Sequence, residues 1–241
     1  MSTFTHIHYH KVDKYQNQYA VLTLNRPQKA HAYNRAMLCE IETHLHEIQK
    51  KTNVCALVIQ SEGHRVFCAG ADLEEMKTAT ALTALHLQSE AVFSLLENLS
   101  CVTIASIHGP AIAGGFEMIL ACDLRVISAE TTFSLPEVSL GLIPAAGGCV
   151  RLPNIIGPTR AKAVILGGQV ISAEQSLAWG LVNQIAERTD EASLTWAQKI
   201  ATYDLVALRF AKQVLDSTTT NKKASLLQAK ALEGILYDRR Q

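Results

Sequence analysis

Apolar and polar positions change their period several times along the chain, and each change marks an element. Tyr19 to Asn25 (YAVLTLN) is an almost unbroken apolar, β-branched run, which predicts a buried strand. From Asn34 to Lys50 the apolar residues Met37, Ile41, Leu45 and Ile48 fall on one stripe at helical spacing, which predicts an amphipathic helix. Val54 to Gln60 (VCALVIQ) and Cys101 to Ile107 (CVTIASI) predict two more buried strands, and Leu124 to Ser128 a fourth. Between them lie a glycine-containing loop from Gly63 to Asp72, a helical stretch from about Leu82 to Leu99, and a helix from about Gly114 to Cys122. Strand, helix, strand at this spacing argues βαβ units and a mostly parallel sheet with right-handed crossovers.

From Gly147 onward the pattern turns helical, with helices predicted at Thr159 to Leu166, Ser172 to Trp179, Glu191 to Ala201, Leu205 to Asp216 and Ala224 to Tyr237. Ser172 followed three residues later by Gln175 has the form of a capping box. The expected class is α/β, with a core over residues 1–185 and a helical C-terminal region over 186–241. No low-complexity tract or solenoid repeat interrupts it. His6, His8 and His10 alternate as along an edge strand, where a solvated face is favoured over a metal site that would lack a fourth ligand. No metal is therefore expected.

Charge narrows the partners. Lys and Arg number 22 against 22 Asp and Glu, so the formal net charge is zero, and no basic cluster offers nucleic acid or an anionic membrane a hold. At 48% hydrophobic and 18% charged, the chain is expected to bury a large core rather than remain disordered. The longest nearly apolar run, Ala111 to Cys122, contains Glu117 and is too short to span a bilayer, and the first residues lack the apolar core of a secretion signal. A cytoplasmic location is the expectation. Cys39, Cys55, Cys68, Cys101, Cys122 and Cys149 are scattered singly, without a Cys-x-x-Cys pair, and read as small, buried, reduced thiols.

Three junctions carry the candidate chemistry, each following a buried strand, where an open α/β sheet places its ligands. The first is CAGADL, from Cys68 to Leu73, where Asp72 reads as a helix cap. The second is HGPAIAGGFE, from His108 to Glu117, whose glycines fit neither a dinucleotide fingerprint nor a P-loop. Glu117 lies there among Phe116, Met118 and Ile119, so its carboxylate is expected to be desolvated. The third runs from Phe133 through Pro136 and Glu137 to Gly148. Together they supply backbone donors and two carboxylates, the parts needed to polarise a carbonyl and move protons beside it.

The runs FCAGADL, HGPAIAGGFEMILACD and FSLPEVSLGLIPAAGG, with NRPQKA before them and GGQVISAEQSLAWGLVNQI after, resemble the crotonase (enoyl-CoA hydratase/isomerase) superfamily from about Tyr19 to about Asp216. The resemblance implies a crotonase-like superhelix of stacked ββα turns, an acyl-CoA substrate, and a C-terminal helical region that builds homotrimers or dimers of trimers. It implies an oxyanion hole at the N–H groups of Ala71 and Gly114, and CoA contacts around Ala69, Ala71 and Leu73. Arg26 and Lys29 are candidates for the CoA phosphates, with a solvated lysine an equal alternative for Lys29. No resident cofactor is implied, since coenzyme A is part of the substrate.

Hydratases of this superfamily carry two glutamates, matched here by Glu117 and Glu137, twenty residues apart. The implied reaction is hydration of a 2-enoyl-CoA to 3-hydroxyacyl-CoA, with Glu137 as proton donor to the α-carbon and Glu117 as its partner base. The alternatives are a Δ3,Δ2-enoyl-CoA isomerase and a non-enzymatic CoA- or RNA-binding member. Some positions depart from the pattern: Ala145, expected to orient the water, stands after Pro144 where Gly is frequent; Cys149-Val150 replaces Thr-Gln; His31 replaces Asn. The segment ending YDRRQ lacks a clear version of the family's last helix, so that region is expected to be shortened.

Overall fold

The computed structural model describes residues 3–12, 17–63, 65–77, 80, 86–217 and 222–239. Its apolar runs are continuous because both faces of their strands are covered. Among the described residues eight strands form: β1 (Thr5–Lys11), β2 (Gln18–Leu24), β3 (Val54–Ser61), β4 (Val102–Ile107), β5 (Ala111–Ile112), β6 (Leu124–Ile127), β7 (Phe133–Ser134) and β8 (Gln184–Ile185). Six make one sheet in the order β1-β2-β3-β4-β6-β8. Only β1 runs antiparallel to its neighbour, and the other pairs are parallel. Along β3, Leu57 and Ile59 enter one core, while Cys55, Ala56 and Val58 enter a second on the opposite face. Burial on both sides leaves no polar alternation to be read.

The larger core is closed by the helix Arg35–Lys50, which buries Met37, Leu38, Ile41, Leu45 and Ile48. Each such side chain contributes about 2 kcal/mol on burial. Asn34 caps that helix, accepting from the Met37 N–H. The opposite face is covered by the helix Thr189–Ile200, whose Ala197 and Ile200 pack with Val58 and Ile104. The sheet thus ends with β8 at Ile185, and the first helix of the expected C-terminal region lies on the sheet.

A second, minimal ladder stacks beside the main sheet. β5 pairs with β7, Cys68 bridges to Ala111, and Phe133 bridges to Ile171. Successive turns therefore place one strand in the large sheet and one short segment in the small ladder before a helix returns. These are the stacked ββα turns that the motifs implied.

The helix expected from about Leu82 to Leu99 is present as Gln88–Glu97, and residues 82–85 lie outside the described residues. The capping box forms, Ser172 accepting from the Gln175 N–H while the Gln175 side chain accepts from the Ser172 N–H. The helix Leu205–Ser217 is tied to the sheet by Lys212, which donates to Asp123. Asp123 also accepts from the Thr103 N–H and hydroxyl. The last helix is Lys222–Asp238.

On β1, His6 meets the Asn25 side chain at 2.8 Å and His10 stacks on Tyr19. Among the described residues no group of three or more His, Cys, Asp or Glu is placed to hold a metal ion. Among the same residues no helix is long and apolar enough to cross a membrane.

Candidate active site

The small ladder brings the three junctions together. Ile112 N–H donates to Cys68 C=O, and Ala113 N–H donates to Ser134 C=O. The strand before Glu117 is therefore fixed between the strand before Glu137 and the loop carrying Ala71. The approach is close: a Cβ on Gly115 would lie 2.2 Å from the Cys68 carbonyl oxygen. Only glycine permits that contact.

Glu117 sits on the buried helix Gly114–Leu120 and is 3% exposed. Its Oε1 accepts from the Gly148 N–H at 2.8 Å, at the first turn of the helix Gly148–Ile156. Burial raises its carboxyl to about 7, the like charge of Glu137 adds to that rise, and the N–H groups of Gly148 and Ala146 and the Arg151 guanidinium oppose it. A carboxyl titrating there exchanges protons readily at neutral pH.

Glu137 opens the 3-10 turn Glu137–Leu140 and is 9% exposed. Burial raises its carboxyl as well. Its Oε2 is buried without a hydrogen-bond partner among the described residues, so the site holds an acceptor, or a donor when protonated, that the protein itself does not satisfy. Val138, Leu140, Leu142 and Ile143 are exposed around it. Cys39 and Cys149 are exposed rather than buried as expected, the other four being buried; Cys149 lies beside both glutamates, and partial desolvation followed by their two charges pushes its thiol up.

The two donor positions lie in the adjoining loops. Ala71 is bridged by Tyr33, whose bonds go to Gly70 C=O and from Asp72 N–H. Gly114 is the first residue of its helix. Among the described residues neither the Ala71 nor the Gly114 N–H donates to a protein acceptor.

The other positions singled out from the sequence divide. Asp72 caps as expected, accepting from the Glu74 N–H, and the Glu74 N–H and Arg26 hold its carboxyl below the usual range. Arg26 is engaged inside the fold: its NH1 lies 2.7 Å from Asp72 Oδ2 and donates to Ala32 C=O. Lys29 and Leu73 are exposed. The Ala69 N–H donates to Ala30 C=O. Ala145 is exposed, and the N–H groups that face Glu117 are those of Gly148 and Ala146.

His31 is buried at φ +54°. Its Nδ1 accepts from the Arg26 N–H, so Nε2 carries the proton and donates to Glu62 C=O. Burial lowers its pKa. A neutral imidazole thus braces the loop that carries Arg26.

Arg151 was not singled out from the sequence. Its NH1 donates to Ala146 C=O at 2.9 Å, and its Nε and NH2 fork onto Glu97 Oε2. It holds the turn whose N–H groups meet Glu117. A buried arginine inside an apolar helix was the available signal.

The family model described as enoyl-CoA hydratase/isomerase matches residues 14–233. The chain belongs to the enoyl-CoA hydratase/isomerase family. It is 34% identical over 205 residues to the short-chain-enoyl-CoA hydratase of Clostridium acetobutylicum, covering 83% of this chain and 78% of that protein. It is 34% identical to the 2,3-dehydroadipyl-CoA hydratase of Escherichia coli, over 92% of this chain and 88% of the relative. The crystal structure of an enoyl-CoA hydratase from Bacillus anthracis superposes with a TM-score of 0.88 at 31% identity, covering 96% of this chain and 91% of that one.

Proposed function

We propose that this protein is an enoyl-CoA hydratase that adds water across the double bond of a short or medium 2-enoyl-CoA to give 3-hydroxyacyl-CoA. The observation that carries this reading is the pair of buried carboxyls, Glu117 and Glu137, on adjoining segments beside unengaged main-chain donors. In the proposed reaction the thioester oxygen accepts from the Ala71 and Gly114 N–H groups, which strengthen as enolate-like charge develops. Glu117, near half-ionised at neutral pH, takes a proton from water as its oxygen bonds to the β-carbon. Glu137, protonated, gives a proton to the α-carbon. A proton passing from Glu117 to Glu137 resets the pair, which titrates as a unit.

The reaction as written needs no resident cofactor, because coenzyme A arrives with the substrate. In this reading the CoA moiety meets Lys29 and Leu73, both of which are exposed. We assign the homotrimer, or dimer of trimers, to the same proposal, supported by the exposed apolar residues flanking Glu137; sedimentation velocity tests it. The cytoplasmic location also belongs to it, with cell fractionation as its check.

The deciding experiment follows loss of crotonyl-CoA absorbance with the wild type, Glu117→Gln and Glu137→Gln. Each substitution should cost at least ~10² in rate, as expected for a lost general acid or base. Turnover of 3-enoyl-CoA to 2-enoyl-CoA without hydration would replace this reading by the isomerase. No turnover of either thioester would leave a binding protein.

A further inference from the structure

Tyr33 touches both candidate oxyanion donors. It is 6% exposed, just before the helix Arg35–Lys50. Its N–H donates to Gly70 C=O and its C=O accepts from the Asp72 N–H, each at 2.8 Å, so its main chain brackets Ala71 from one side. In a parallel bridge the bracketed residue turns its own N–H away from the bridging strand. The Ala71 N–H is thereby aimed off the ladder.

The side chain does the corresponding work at Gly114. A Cβ there would lie 1.9 Å from the Tyr33 hydroxyl oxygen and 2.7 Å from its Cζ, so the phenol lies against the Gly114 main chain. The ring is held edge-on by Phe93 at a centroid distance of 5.8 Å, and Ser89 faces the hydroxyl. The preceding residue, Ala113, has φ +53° and ψ −129°. For alanine that conformation is strained and persists only where the surroundings impose it. Ser134 C=O grips the Ala113 N–H, and the phenol blocks movement of the following residue.

Resting on the hydratase reading above, we infer that Tyr33 is the positioning residue of the oxyanion hole, its main chain setting the Ala71 N–H and its ring the Gly114 N–H. One residue thus couples two loops that approach from different turns of the superhelix. A misplaced donor is felt mainly in the transition state, so loss of the ring lowers kcat and leaves KM nearly unchanged.

The test compares Tyr33→Leu with Tyr33→Phe, which keeps the ring and its Cζ contact. The readings are kcat and KM for crotonyl-CoA, the thermal midpoint, and the carbonyl stretching frequency of a bound, unreactive acyl-CoA thioester. Tyr33→Leu should lose about 10- to 100-fold in kcat, with KM within about threefold. The drop in carbonyl frequency on binding should shrink toward the free value. Tyr33→Phe should stay near the wild type in all readings.

A lower thermal midpoint with an unchanged carbonyl shift and kcat would reduce Tyr33 to a packing residue and overturn the inference. Should Tyr33→Leu not fold, Phe93→Leu removes the edge contact that holds the ring and should weaken the carbonyl shift in the same direction; an undiminished shift overturns the inference. If the wild type itself does not lower the carbonyl frequency, the oxyanion hole fails and the role of Tyr33 with it, whereas a wild-type shift that survives Tyr33→Leu removes Tyr33 alone.

Discussion

Glu117 and Glu137 are both buried and both raised, yet their surroundings differ. Glu117 is walled in: the helix around it is buried throughout, Gly148 N–H holds one oxygen, and Arg151 holds the turn that presents that N–H. Glu137 stands at an open wall, on a short 3-10 turn flanked by exposed Val138 and Leu140, with Oε2 unpartnered among the described residues. A fixed carboxyl suits a group that must hold water at one place. An unsatisfied one suits a group whose partner arrives with the substrate. Burial strains the first pH-wise, because the fold favours its protonated form.

Three measurements break or sharpen that comparison, apart from the rate losses already described. The largest effect is expected from Glu117→Gln on stability. The carboxyl titrates near 4.5 in an unfolded chain and about 7 in the fold. Its contribution is therefore fully present below pH 4.5 and lost as pH rises to about 7. Glutamine suffers no such loss and keeps an acceptor for Gly148. At pH 8 the variant should be more stable by up to about 3 kcal/mol in urea unfolding, with the gain vanishing near pH 4.5. Equal stability at pH 8 would mean that burial does not strain Glu117.

Next in size is Arg151→Met. Without the guanidinium, the Glu117 carboxyl climbs further, so the acid limb of the kcat/KM profile should move to higher pH. The rate at pH 7 should fall roughly tenfold as the ionised fraction drops and the Ala146 turn loosens. An unmoved limb would assign Arg151 to folding alone. The smallest effect is expected from Glu137→Gln on stability: a gain of the same sign as for Glu117→Gln, but smaller, since the site is more open. A gain equal to that of Glu117→Gln would erase the distinction between the walls.

Much of this arrangement was legible in the chain. The buried strands were legible because double-sided burial demands unbroken apolar runs, and the caps at Asp72 and Ser172 mark their helices by short polar side chains. The helix Gly148–Ile156 was harder to see: it begins with glycine and contains Pro153, which weaken the local signal. β5 and β7 are two residues each and have no period to detect. Arg26 reads as a free cation in the sequence, and only its approach to Asp72 shows it engaged.

The chemistry available to this protein was written in its residues by themselves. Two glutamates, small residues at three strand ends and a neutral charge balance supply the parts for moving protons beside a polarised carbonyl, and the resemblance of the surrounding runs to one family is what points them to acyl-CoA chemistry. Tertiary structure decided which groups meet. That Gly148 satisfies Glu117, that Arg151 supports one wall, and that Tyr33 reaches both Ala71 and Gly114 all depend on contacts between distant turns. Such contacts leave no local period or propensity, because the sequence separation is bridged only when the stacked ladder closes.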